Sequence, residues 1–160
     1  MYMTREEARQ ALIDGKRVKH YNFTASEYLY MDGNRIMTED GYFFTDRFDE
    51  NEWMEDGWVI VEAPVLTCLM DVIREFPNEF INTCHGRAGT TPSIENRKNH
   101  LNLAYCIENE RWDHAAVIVS HPEYRRPLNG VVICLMTYGN SIPRDVYHQA
   151  IEFEREGKLI

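Results

Sequence analysis

A chain of 160 residues, 44% apolar and 12% aromatic, is long enough to bury a real core as one medium domain or two small ones. Its charges are interleaved with Trp, Tyr and Phe, which excludes intrinsic disorder. Its net charge of −9 excludes the clustered Lys and Arg of a direct nucleic-acid binder. The opening MYMTREEARQ lacks the apolar stretch of a signal peptide, and the longest apolar runs, Ala115–Val119 and Val131–Met136, are too short for a bilayer. The expectation is a cytoplasmic protein with no membrane association.

Thr4 and Glu7 form a Thr-x-x-Glu capping box, Ala8, Ala11 and Leu12 recur at helical spacing, and Gly15 stands where a helix should stop, so a short helix opens the chain. The period then switches to two. Arg17-Val18-Lys19-His20-Tyr21 and Tyr28-Leu29-Tyr30-Met31 read as strands. Asp32-Gly33-Asn34 reads as a tight turn into Arg35-Ile36-Met37-Thr38. Asp40-Gly41 predicts a second turn into a strand at Tyr42-Phe43-Phe44-Thr45, and Trp58-Val59-Ile60-Val61 closes an antiparallel meander. Pro64 marks a boundary. The predicted fold class is α+β: an N-terminal helix with a β-meander over residues 1–62, then a mainly helical part over 63–160.

In that second part, Val65-Leu66, Leu69-Met70 and Ile73 follow a helical pattern. Asn82–Ser93, with Gly86 and Gly89, reads as a polar loop. Ser93 caps a long helix through Leu101, Ala104, Tyr105 and Glu108. The β-branched runs between Asp113 and Tyr138 fit buried helix or buried strand by periodicity, with Asp113 as an N-cap and Gly139 as a stop favouring helices. Arg144–Glu156 is a terminal helix. A faint helical-hairpin echo of ankyrin repeats runs through Leu101-x-Leu103-Ala104, Ala115, Val119 and Leu135–Gly139, but the Thr-Pro-Leu-His signature is absent.

No catalytic constellation stands out. Cys84 and His85 would supply a thiol and a base, yet neighbours on an extended chain point apart, and no P-loop lysine follows the glycines. Cys68, Cys84, Cys106 and Cys134 lack the compact spacing of a zinc module, and Cys84, His85 and His100 do not restore it. Neither metal nor cofactor is expected; the four cysteines read as buried reduced thiols. The acidity is concentrated: residues 1–62 hold 14 Asp and Glu against 7 Lys and Arg, and eight acids between Glu39 and Asp56 face Arg47 alone. Such a run is a solvated loop, a face for a basic protein partner, or a mimic of DNA phosphates that blocks a host defence enzyme.

The segment Glu7-Ala8, Leu12 and Gly15-Lys16-Arg17-Val18, with aromatics at Tyr21 and Phe23 and the closing Glu52-Trp53-Met54-Glu55-Asp56-Gly57-Trp58-Val59-Ile60-Val61, resembles the small phage domain of the second Thoeris anti-defence family. The resemblance covers residues 4–62. This chain departs from the family pattern in Lys19-His20 after Val18, in Tyr21 or Phe23 for a Trp, and in Gly57 between Asp56 and Trp58. The resemblance implies a phage- or prophage-encoded, oligomeric sponge in the bacterial host cell. It would bind a cyclic ADP-ribose-type or cyclic oligonucleotide signal without cleaving it. The expected ligand-binding residues are then Arg17 and Lys19 for phosphate and His20, Tyr21, Phe23, Tyr30 and Trp58 for stacking, with His85 and Arg87 added from the predicted loop.

Overall fold

The computed structural model describes residues 1–138 and 141–160. It divides into two compact units, Met1–Pro64 with Pro143–Asp145, and Val65–Ile142 with Val146–Ile160. The fold class is α+β: an N-terminal helix, a four-stranded antiparallel sheet, then mostly helices.

In the first unit, α1 (Arg5–Ile13) starts on the Thr4–Glu7 capping box and buries Ala8, Ala11 and Leu12. Gly15, at φ +84°, takes the left-handed turn that glycine alone adopts without strain. Strands β1 (Arg17–His20), β2 (Leu29–Asp32), β3 (Arg35–Thr38) and β4 (Trp58–Val61) are ordered β3-β2-β1-β4, with Val18 opposite Ile60 and Met31 opposite Ile36. Gly33, at φ +63°, turns the hairpin between β2 and β3. One face of the sheet packs Val18, Leu29, Ile36 and Trp58 under α1; the other gathers Tyr28, Tyr30 and Met37 with Val61.

The predicted strand at Tyr42–Thr45 does not form. Phe43 makes a single bridge to Met37, and the Thr45 hydroxyl accepts the Ile36 N–H at 3.0 Å, blunting the β3 edge. The chain then enters α2 (Thr45–Glu50), because burying Phe48 completely against Trp58 is worth more than extending the ladder.

The second unit is helical: α3 (Leu69–Glu75), α4 (Pro77–Thr90), α5 (Ile94–Glu108), α6 (Trp112–Ser120), α7 (Arg125–Ile133) and α8 (Arg144–Glu156), with 3₁₀ turns at Pro122–Tyr124 and Cys134–Met136. Arg144 and Asp145, the first residues of α8, count with the first unit. The ambiguous stretch from Asp113 is helical, with Arg111 at the N-cap and Asp113 in the first turn; Gly139 lies outside the described residues. Ser93 caps α5 as expected, its hydroxyl accepting the Asn96 N–H at 3.1 Å.

The helix predicted from Val65 begins only at Leu69, where the Lys158 and Leu159 carbonyls accept the N–H groups of Leu69 and Met70 and so satisfy the helix start. The loop predicted over Asn82–Ser93 is helix as far as Thr90, started by Pro77 in the first turn. Gly86 serves packing and not flexibility: a Cβ there would lie 2.3 Å from the Tyr138 ring. Among the described residues no helix is long and apolar enough to cross a membrane.

Candidate ligand-binding cleft

Strand alternation separates the residues predicted to act together. Along β1, Val18 and His20 point into the α1 side while Arg17 and Lys19 face the other way, both half-buried. The predicted phosphate partners Arg17 and Lys19 therefore lie on the face opposite to His20, Phe23 and Trp58, and of the predicted stacking rings Tyr30 shares their face.

Most of these residues are committed to the fold. Trp58 is fully buried, its indole N–H donating to the Met54 carbonyl at 2.8 Å and its ring 4.9 Å from Phe48. His20 is also fully buried and packs edge-on against Trp58 at 5.1 Å. Its Nδ1 accepts the Asn22 N–H at 3.3 Å, which assigns the proton to Nε2, donating to the Asp56 carbonyl at 2.7 Å. Gly57 is required beside it: at φ +93°, a Cβ would meet the Tyr21 ring at 2.5 Å and His20 Nε2 at 2.8 Å. On the opposite face, Arg17 pairs with Asp145 at 2.9 Å and lies 4.4 Å from the Tyr28 ring, whose hydroxyl donates to Asp145 at 2.6 Å. Burial and the Asp145 carboxylate push the Tyr28 phenol strongly up. Tyr30 is buried, and desolvation raises it to about 12. Tyr21 stays exposed, its ring tilted by 33° against that of His20 with centres 4.5 Å apart.

In the second unit, His85 is exposed on α4 and Arg87 is half-buried, its guanidinium so close to Gly130 that a Cβ there would lie 3.0 Å away. The chemistry-bearing side chains around them are closed. His100 is buried and sits 2.7 Å from the Tyr124 hydroxyl; desolvation, helped by the Arg87 charge, lowers it to about 4. Burial raises the Cys84 thiol to about 12, so its sulfur stays protonated at neutral pH.

An open site does exist in the first unit. A cleft of about 500 Å³ is walled by Phe23, Tyr42, Phe43 and Phe44, with Glu27, Glu39, Asp40 and Arg47 at its polar positions. A second cleft of about 510 Å³ adjoins it, sharing Phe43 and Arg47 and adding Arg35, Thr45 and Asp46. Phe23 alone of the nine predicted residues lines either one. It packs edge-on against Trp58 at 5.8 Å and Phe44 at 6.0 Å, joining the cleft wall to the core.

Turn geometry builds this site. Gly41 at φ +90° reverses the chain, and the Thr38 hydroxyl accepts the Tyr42 N–H at 2.9 Å. Because the strand stops there, Tyr42 and Phe43 remain 69% and 65% exposed. Glu39 accepts the Tyr28 N–H at 3.2 Å, yet its carboxyl is raised above the usual range, chiefly by desolvation, with Asp40 and Glu27 adding like-charge repulsion. Among the described residues none of these three carboxylates has a cationic partner, and neither the Arg35 nor the Arg47 guanidinium makes an ion pair or hydrogen bond. Arg35 instead lies 5.0 Å from the Phe43 ring centre.

The sequence held one signal for this cleft. Three consecutive aromatics, Tyr42-Phe43-Phe44, cannot all occupy the buried face of a strand. Comparison with known proteins finds no matching family model, curated protein or solved structure.

Proposed function

We propose that the first unit binds a small nucleotide and holds it unchanged, serving a phage or prophage as a sponge for a bacterial immune signal. The observation carrying this reading is the Phe43-centred pair of clefts. It combines exposed aromatic faces, two guanidiniums that make no ion pair among the described residues, and carboxylates suited to ribose hydroxyls. Clefts of this volume suit small ligands, and each base stacked on an aromatic ring gains about 1–3 kcal/mol. The resemblance of residues 4–62 to the second Thoeris anti-defence family points to the same ligand class and to an oligomeric assembly.

A thermal-shift screen against cyclic ADP-ribose isomers and cyclic di- and trinucleotides tests the reading. A ligand at a hundred times its Kd adds about 2.7 kcal/mol of stability, a rise of several degrees. The expected result is a hit whose ligand is recovered with unchanged mass. Absence of any shift, or recovery of a cleaved product, contradicts it.

The acidic surface supports a second reading, an inhibitor that occupies a host defence protein. Glu50, Glu52, Glu55 and Asp56 are exposed around Trp53, itself 58% exposed. That reading expects one stoichiometric partner in a pull-down, released as salt rises.

A further inference from the structure

Charge on the two clefts is divided, and the division restricts what a nucleotide can do there. The Phe23–Phe44 cleft carries Glu27, Glu39 and Asp40 against Arg47; the adjoining one carries Arg35 and Arg47 against Asp46. Phe43 stands between them, lining both. A phosphate placed among the three carboxylates would meet like charge in a partly desolvated setting, which costs more than in open water. A hydroxyl or exocyclic amine placed there would donate to acceptors that lack a cation. Conversely, a phosphate beside Arg35 and Arg47 meets two guanidiniums made for oxyanion geometry. The Thr45 hydroxyl, which accepts the Ile36 N–H, keeps its own proton to donate.

Building on the nucleotide reading above, we infer that the site is bipartite and selects a ribonucleotide with a free ribose diol. The nucleoside lies in the carboxylate cleft, its hydroxyls donating to Glu39 and its neighbours. The phosphates cross Phe43 to Arg35 and Arg47. Three groups then set specificity: Glu39 reads the sugar, Phe43 carries the flat face, and Arg47, shared by both clefts, reads the charge.

The fit of a diol follows from the same geometry. Glu39 has one carboxylate oxygen occupied by the Tyr28 N–H, and a charged acceptor makes a stronger bond to a hydroxyl than a neutral one does. A 2′,3′-dideoxy sugar leaves that half-buried acceptor without its donor and binds less tightly, as a site built for a hydroxyl disfavours an analogue lacking it.

Isothermal titration of the full chain with ADP-ribose, ADP, 2′,3′-dideoxy-ADP and adenosine tests the inference. The variants are Glu39→Gln and Arg47→Ala, each checked for an unchanged melting curve. ADP is expected to bind about tenfold tighter than its dideoxy analogue in the native protein, and Glu39→Gln is expected to erase that preference. Arg47→Ala is expected to weaken ADP and ADP-ribose about tenfold while leaving adenosine unchanged. Arg35→Lys provides an independent probe of the phosphate side, with a smaller loss, since lysine keeps the charge and loses the fork. Nucleotide binding that neither Glu39→Gln nor Arg47→Ala alters overturns the bipartite site and leaves sequestration standing. Tighter ADP binding by Glu39→Gln with no change in sugar preference also overturns it, because the carboxylates then only repel. A hit confined to cyclic di- or trinucleotides, which carry no free diol when 3′,5′-linked, overturns the diol inference and leaves sequestration standing; no binding of any of these nucleotides, together with a blank in the cyclic-nucleotide screen, overturns both readings.

Discussion

Two aromatic clusters in the first unit put the same kinds of side chain to different use. Around Trp58 the rings turn inward: Phe48 and Trp58 are fully buried, His20 lies edge-on against the indole, and every polar atom of His20 and Trp58 has a backbone partner. Around Phe43 the rings turn outward, with Tyr42 and Phe43 mostly exposed beside charged groups that, among the described residues, have no ion-pair partner. The lesson is that an aromatic in a short strand says little about binding until its commitments are counted. A buried ring with satisfied polar atoms stabilises the fold, and only rings left outside it are available to a ligand.

The largest expected effect belongs to the closed cluster. Trp58→Ala should lower unfolding free energy by about 3–5 kcal/mol in a denaturant titration, since the indole fills the centre of the core and its loss leaves a cavity. A loss below about 1 kcal/mol would mean that the cluster does not hold the unit together.

The second unit has its own closed group, and it answers to pH. His100 titrates near 6.5 when unfolded and near 4 when folded, because burial disfavours its charged form. The unfolded chain therefore binds the extra proton between those values. The contribution of His100 is fully present above about pH 6.5 and is lost as pH falls towards 4, about 3 kcal/mol in all. Melting temperatures measured from pH 7 to pH 4 should fall more steeply in the native protein than in His100→Gln. Equal slopes would place the acid sensitivity elsewhere.

The smallest stability effect belongs to the open cluster. Phe43→Ala should change unfolding free energy by no more than about 0.5 kcal/mol, as for an ordinary exposed position, while weakening nucleotide binding about tenfold through lost stacking. If Phe43→Ala destabilised the protein as much as Trp58→Ala does, the distinction between the clusters would fail.

What could be read from the sequence was local. Thr4 with Glu7, Gly15, Gly33, and Ser93 announced helix ends and a hairpin, because a cap or a left-handed turn is decided by residues a few positions apart. The terminal helix Arg144–Glu156 was legible from the spacing of Val146, Tyr147, Ala150, Ile151 and Phe153 after Pro143. What remained hidden was set by distant partners. Gly86 looks like a loop glycine until Tyr138 is seen to occupy the space a side chain would need. Arg17 looks like a phosphate ligand until Asp145, 128 residues away, is found paired with it. The candidate cleft was visible only in pieces, an acidic run and the Asp40-Gly41 turn, because the strand expected after that turn hid that Glu39, Asp40 and Phe43 share one opening. The strand expected at Tyr42–Thr45 would have removed that opening altogether.

Amide hydrogen exchange with and without a nucleotide identified in the screen reports where a ligand sits as well as whether it binds. If the nucleotide sits across Phe43, added protection concentrates in residues 23–29 and 35–47, the segments that supply the two clefts, with no comparable change in α4 or α5. Protection confined to the second unit, or centred on the Tyr21 and Trp53 surface with the 35–47 segment unaffected, would contradict that placement.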